Sequence, residues 1–181
     1  MRGPLLRDHF DLTTRVSGGP GVRALADAGA NITFAGGLAR LASGTGVDGE
    51  TGIVLTPSVD ALPGMVLFAE VTPTTGNHGD LIGFATAPDA LAASLNNLSV
   101  MIATGGVIGA RGTATGTGSP QIATWTAATT YQLALVLRRG GGRFIFVKGG
   151  IYTNWTLIHA DKVAVPSRVM PAIVRYDAAG G

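Results

Sequence analysis

The side chains best suited to bind a ligand lie in one short run of aromatic and amide residues, Tyr152-Thr-Asn-Trp155. Carbohydrate recognition requires an exposed aromatic ring, on which the apolar face of a sugar stacks, and planar polar groups that pair with sugar hydroxyls. Tyr152 and Trp155 supply the rings and Asn154 supplies the amide. The run therefore predicts a glycan-binding loop. The competing interpretation is that Trp155 packs as a core or corner aromatic residue.

Two carboxylates in the glycine-rich segment 46–51 form the best candidate metal site. Asp48 and Glu50 stand among turn residues, whose carbonyl oxygens would complete the oxygen shell that calcium prefers. The three histidines are each isolated in the sequence and the chain has no cysteine, so no zinc pattern is present. Apart from calcium at this loop, the sequence predicts no cofactor.

Basic residues cluster around the turn Arg-Arg-Gly-Gly-Gly at 138–142. Arg138, Arg139 and Arg143 stand beside this turn and Lys148 follows on the next strand, which indicates contact with an acidic partner or a polyanion. The alternative is a charged edge hairpin that blocks strand-to-strand aggregation. The net charge is only +2, and this small excess of arginine is not a nucleic-acid footprint.

The acidic and hydroxyl residues do not form a catalytic set. A sandwich glycosidase needs two carboxylates about 5 to 10 Å apart, whereas Glu70 has no acidic partner on its strand. The glycine-rich stretch 112–120 has no lysine and opens no helix, so it lacks the basis of a phosphate loop. No serine stands in a strand–turn–helix elbow. The sequence therefore predicts a protein that is not an enzyme.

The elements that must position these residues are strands. Hydrophobic residues make up 46% of the chain and charged residues only 13%, which excludes a disordered chain and leaves too few charges to coat a helix bundle. Roughly ten short segments, separated by turn signals, alternate apolar with polar residues. This pattern predicts an all-β, antiparallel two-sheet sandwich. The one candidate helix is the segment 88–95, which begins at a proline.

Alternation along three of these segments also predicts the core. Apolar side chains at every second position should point inward, and this set comprises Met65, Leu67, Leu133, Leu135, Leu137, Ile145 and Val147.

The strings MVLFAEVTP, YQLALVLR, RFIFVKGGIYTNWTLIHAD and VMPAIVRYDA, within residues 50–177, carry a family resemblance. They resemble concanavalin A-like (laminin G-like) jelly-roll modules, which occur in phage structural proteins and large bacterial surface proteins. The resemblance implies a jelly-roll sandwich whose relatives bind glycans, adhere to surfaces or build particles. It implies no shared catalytic residue.

Together, these observations predict a non-catalytic structural or assembly protein. We expect a virion coat, decoration or tail component that packs with copies of itself or in a larger lattice, on a virion or at an extracellular surface. The alternative is a lectin-like carbohydrate-binding or adhesion module. The chain lacks an apolar run of membrane-spanning length and a signal-peptide core, so we expect no membrane contact.

The division of the chain is predicted at residue 28. Residues 29–181 should form a single sandwich domain, because strands resume at once on both sides of the glycine-rich stretch 115–120. Residues 1–28 are predicted to form either an arm that contacts a neighbouring subunit or an ordinary first strand. The segment Ser17-Gly-Gly-Pro-Gly21 within it cannot continue a strand, since glycine and proline break the ladder.

Overall fold

Alternating apolar residues form strands throughout the computed structural model of this chain, which describes residues 22–26, 32–41, 51–74, 79–86, 98–111 and 121–176. The fourteen strands are β1 Val22–Ala26, β2 Ile32–Ala35, β3 Leu38–Leu41, β4 Thr51–Thr56, β5 Val59–Asp60, β6 Val66–Val71, β7 Gly79–Ala85, β8 Ser99–Ala103, β9 Val107–Arg111, β10 Gln121–Thr124, β11 Tyr131–Leu137, β12 Arg143–Gly149, β13 Tyr152–Asp161 and β14 Arg168–Tyr176. The only helical element in these ranges is a 3-10 turn at Thr104–Gly106. The predicted all-β class is therefore confirmed, and the segment 88–95 lies outside the described residues.

The strands form two antiparallel sheets and a hairpin. The larger sheet has the order β1-β4-β14-β7-β8-β9-β10, with β5 paired to β14, and the smaller has the order β13-β12-β11-β6. The hairpin of β2 and β3 attaches to the larger sheet through arginine side chains. Arg175 donates a hydrogen bond to the Leu41 carbonyl and pairs with Asp80 at 3.3 Å, while the Arg23 guanidinium lies 4.5 Å from the centre of the Phe34 ring.

The core between the two sheets contains the inward-facing residues that alternation predicts. The five predicted residues on β11 and β12 are at most 3% exposed, and Met65 and Leu67 are partly buried against them. The register of the smaller sheet explains this, because Leu135 stands opposite both Ile145 and Leu67. Burial at every second position of adjacent strands confirms the predicted inward face.

Glycines allow a tight turn at one place in the backbone and the close approach of two strands at another. Gly140, Gly141 and Gly142 have φ angles of 81°, 91° and 98°, a region that disfavours side chains, and they form the turn between β11 and β12. At Gly83 on β7 the backbone approaches β8 so closely that a Cβ atom would lie 2.2 Å from the Leu98 carbonyl oxygen. The turn between β11 and β12 agrees with the hairpin that the sequence predicts there.

One buried ion pair ties the two sheets together. The side chain of Arg143 on β12 is 0% exposed and binds the Asp161 carboxylate on β13 in a fork, with N–O distances of 3.2 and 3.0 Å. Its third nitrogen donates to the Ser99 carbonyl on β8 at 2.7 Å, and so reaches the larger sheet. Asp161 also lies 3.0 Å from Nε2 of His159.

The boundary predicted at residue 28 remains a prediction. Strand β1, which lies before it, pairs with β4 at the edge of the larger sheet, and residues 1–21 and 27–31 lie outside the described residues. Within the described part of the chain, no helix is long and apolar enough to cross a membrane.

Candidate functional site

The outward face of the smaller sheet carries large apolar side chains that are not part of the core. Because side chains alternate between the two faces of a strand, residues next to the buried ones point outward. Phe68, Ala134, Phe146 and Leu157 are successive cross-strand partners in one row from β6 to β13. The neighbouring row contains Val66, Val136 and Phe144.

Two aromatic rings of this face form an exposed pair. Phe68 on β6 is 54% exposed and Trp155 on β13 is 45% exposed, although these strands are the opposite edges of the sheet. Their ring centres lie 5.9 Å apart with an edge-to-face inclination of 64°. Ala134, which has a small side chain, stands opposite Phe68 on β11, between the two edge strands.

We call the exposed apolar residues of this face the platform. It comprises Val66, Phe68, Trp155 and Leu157, each at least 45% exposed. Clustered apolar residues with a polar rim mark sites of interaction on protein surfaces. The platform is thus the strongest candidate binding surface in the described part of the chain.

A polar row borders the platform. Gln132 on β11 stands opposite Glu70 on one side and Lys148 on the other, and each of these residues lies two positions along its strand from the aromatic row. The Gln132 amide donates a hydrogen bond to the Glu70 carboxylate at 3.3 Å. The next row continues with Thr72 and Thr130, whose hydroxyls lie 3.0 Å apart. Apolar rings therefore lie beside hydroxyl, amide and carboxylate groups on one open face.

The structure separates the three residues of the predicted glycan-binding run. Trp155 belongs to the exposed platform, so the interpretation that it packs into the core is wrong. Tyr152 packs against the core, and its hydroxyl accepts a hydrogen bond from the Thr124 amide at 3.0 Å. Asn154 is exposed, and its backbone carbonyl accepts a hydrogen bond from the Thr156 hydroxyl. Trp155 is paired with Phe68 instead of with Tyr152.

The basic cluster at the turn between β11 and β12 is divided between surface and core. Arg139 is exposed, and Arg138 is half-buried with its guanidinium 4.5 Å from the Phe144 ring centre. Arg143 differs from the prediction of a partner contact, because its fully buried side chain cannot reach a partner at the surface. Of the three arginines predicted to contact a partner, Arg138 and Arg139 remain accessible at the surface.

The predicted calcium ligands Asp48 and Glu50 lie outside the described residues. Among the residues that the structure describes, no group of three or more histidine, cysteine, aspartate or glutamate side chains is arranged to hold a metal ion.

A groove of about 340 Å³ lies beside the turn between β11 and β12. It is lined by residues 61–63, Arg138, Gly140, Gly141 and 163–167, with Leu62 and Val165 among the lining side chains. Its lining contains no aromatic and no acidic residue, so it lacks the stacking surface and the carboxylate that a sugar would use.

Sequence reasoning missed Phe68, Leu157 and the polar row. The signal for Phe68 was the alternation along β6, which sets Val66, Phe68 and Glu70 on the face opposite the core. The position of Leu157 could not be obtained by counting, because β13 contains irregularities in its pairing with β12 between Ile145 and Phe146 and between Val147 and Gly149.

Comparison with known proteins supports the fold. No protein-family model and no curated protein matches the chain. Among solved structures, the chain is similar to the crystal structure of the Emp47p carbohydrate recognition domain, with a TM-score of 0.56 and 11% sequence identity over 96% of this chain and 86% of that one. The chain therefore has a concanavalin A-like β-sandwich fold, as the sequence resemblance implied.

Proposed function

We propose that this chain is a glycan-binding module and that its platform is the sugar-binding surface. The observation that carries the proposal is the exposed pair of Phe68 and Trp155 beside the bonded side chains of Gln132 and Glu70. The apolar C–H face of a pyranose ring stacks on an aromatic ring, while amide and carboxylate groups pair with its hydroxyls. The carbohydrate recognition domain of Emp47p, which is similar in fold, supports the same function.

The arrangement favours binding over catalysis. Glu70 is the acidic residue of the polar row, and its described hydrogen bond is to an amide instead of a second carboxylate. A glycosidase requires two carboxyl groups that flank the scissile bond. We therefore propose that the module holds a sugar without cleaving it.

Replacing Phe68 and Trp155 together with alanine is expected to weaken glycan binding about tenfold or more, because the double change removes both stacking surfaces. Binding is measured by glycan array, followed by titration calorimetry with the strongest ligand. Matched controls are Leu62→Ala and Ile151→Ala, which truncate exposed aliphatic side chains outside the platform. Thermal unfolding checks that each variant is folded. Glycan binding that survives the double substitution would contradict the proposal.

A second candidate function is assembly into a homo-oligomer or lattice, such as the virion component that the sequence suggests. The observation that favours it is the aliphatic part of the platform, since Val66 and Leu157 extend the apolar surface beyond the two rings. A stable interface buries about 800 Å² on each partner and is rich in such residues.

Light scattering tests the assembly function. If the platform joins copies of the chain, the purified protein is expected to form a defined oligomer, and Val66→Glu should dissociate it, because an unpaired charge is costly in an apolar interface. A protein that remains monomeric at high concentration would contradict assembly and leave the face free for glycans.

A further inference from the structure

We infer that the platform binds internal units of an extended, neutral polysaccharide chain whose ring hydroxyls are equatorial, as in β-linked glucans. This inference rests on the proposed glycan-binding function and names its substrate class. It follows from three features of the outward face of the smaller sheet: its openness, its stacking surface and the position of its carboxylate.

The first feature is the length of the face. The row from Phe68 through Ala134 and Phe146 to Leu157 crosses four strands, a distance of about 14 Å at the usual spacing of strands. This exceeds the width of a single sugar ring. Phe68 and Leu157, which lie at the two ends of the row, are themselves about half exposed. A chain that continues in both directions fits this open face better than the terminal sugar of a branched glycan.

The second feature is the kind of surface that the sugar meets. Phe68 and Trp155 present aromatic carbon, and Val66 and Leu157 extend it with aliphatic carbon. A sugar ring with equatorial hydroxyls carries only C–H groups on its faces, so it stacks without burying a hydroxyl. An axial hydroxyl would face apolar carbon without a hydrogen-bond partner, which is unfavourable.

The third feature is the charge beside the stacking surface. Glu70 follows Phe68 by two residues on the same face of β6, which places it about 7 Å along the strand. Trp155 reaches from the opposite edge to Phe68, so the paired rings extend toward the Glu70 side of the sheet. An acidic sugar stacked there would place its charge near a carboxylate. A neutral sugar would donate hydroxyl protons to Glu70 and accept from the second N–H of Gln132.

Lys148 stands on the other side of Gln132 and is the one cation in this row. Cross-strand neighbours are separated by about 5 Å, so Lys148 lies two strand spacings from Glu70. It provides the alternative to be tested, since an acidic chain bound beside β13 would use the ammonium group of Lys148.

Two polymers with the same backbone distinguish these outcomes. Native gel electrophoresis is run in gels that contain hydroxyethyl cellulose, which is neutral, or carboxymethyl cellulose, which is anionic. We expect hydroxyethyl cellulose to retard the protein about threefold more strongly, because a charge interaction between exposed groups changes affinity by a few fold. Stronger retardation by carboxymethyl cellulose would overturn the inference.

Variants of the polar row test the role of charge. Glu70→Gln keeps a hydrogen-bonding group of the same shape but removes the negative charge, so binding to carboxymethyl cellulose should rise about threefold. Lys148→Gln is the matched control and should leave the preference for the neutral polymer unchanged. Loss of polymer binding in Lys148→Gln, with no gain in Glu70→Gln, would overturn the inference.

Chain length gives an independent test by calorimetry. Affinity should rise about tenfold or more from cellobiose to cellohexaose, because a longer chain covers more of the row. Equal affinities would overturn the inference. If neither polymer retards the protein, the inference also fails. In that case the proposed function stands only if the glycan array shows binding that depends on Phe68 and Trp155, so the two failures are distinguishable.

Discussion

Replacing Arg143 with leucine is expected to lower the free energy of unfolding by about 3 to 5 kcal/mol. The guanidinium is fully buried, and it donates both hydrogen bonds of the fork to the Asp161 carboxylate. Its removal leaves that carboxylate, with a side chain only 15% exposed, without its forked partner, and leaves the Ser99 carbonyl without this donor. Urea unfolding monitored by tryptophan fluorescence measures the loss.

Two further variants separate charge from geometry at this site. Arg143→Lys keeps the positive charge but lacks the planar fork, so its loss should be smaller but still measurable. Combining Arg143→Leu with Asp161→Leu removes both charges. The double variant should be more stable than Arg143→Leu alone, because it contains no unpaired buried carboxylate. A loss below about 1 kcal/mol for Arg143→Leu would show that the ion pair contributes little.

Replacing Leu135 with alanine is expected to cost about 2 to 5 kcal/mol of stability. Leu135 is 3% exposed in the middle of β11 and stands between Ile145 on β12 and Leu67 on β6. Truncation therefore leaves a cavity that neighbours on two strands cannot fill. Chemical denaturation measures the difference from the unchanged chain.

Leu157→Ala is the matched control, because it makes the same chemical change on the outward face of the same sheet. Leu157 is half exposed, so its truncation should cost clearly less than that of Leu135. A loss below about 0.5 kcal/mol for Leu135→Ala would contradict the inward placement of this residue.

The sheet and its core could be predicted because strand alternation is a local signal. On β11 and β12 every second residue is buried, and counting from Leu133 or Ile145 is sufficient to assign the face. The two-residue strand β5 was not predicted, since a segment of this length contains too few positions for a period.

The buried role of Arg143 was missed for a different reason. Arg143 lies two residues before Ile145 and therefore on the same inward face of the strand. Its charge and its place beside the turn suggested a surface contact instead. Burial depends on Asp161, which is 18 residues further along and opposite it only in the folded sheet. Such a partner becomes evident only when the pairing of β12 with β13 is known.

One residue of the candidate site, Trp155, is visible in the sequence as an aromatic residue outside the alternating core. Its neighbour Phe68 lies 87 positions earlier, on the opposite edge of the smaller sheet. The irregular pairing of β13 also breaks the count that would have separated Tyr152 from Trp155. Contacts across a sheet and shifts within a strand are properties of the fold, so local patterns do not contain them.

Along β6 and β11, residues that pack in the core alternate with residues of the exposed face, and this separation affects how the exposed face can evolve. Leu67 and Leu135 maintain the fold, while Phe68, Glu70 and Gln132 alternate with them on the solvent side. Under the proposed function, substitutions at the outward positions would change the ligand of the surface and leave the interior packing intact. Such a surface would then exchange one ligand for another by small steps, without unfolded intermediates. The same property makes the four-stranded sheet a scaffold on which new specificities can be selected from libraries.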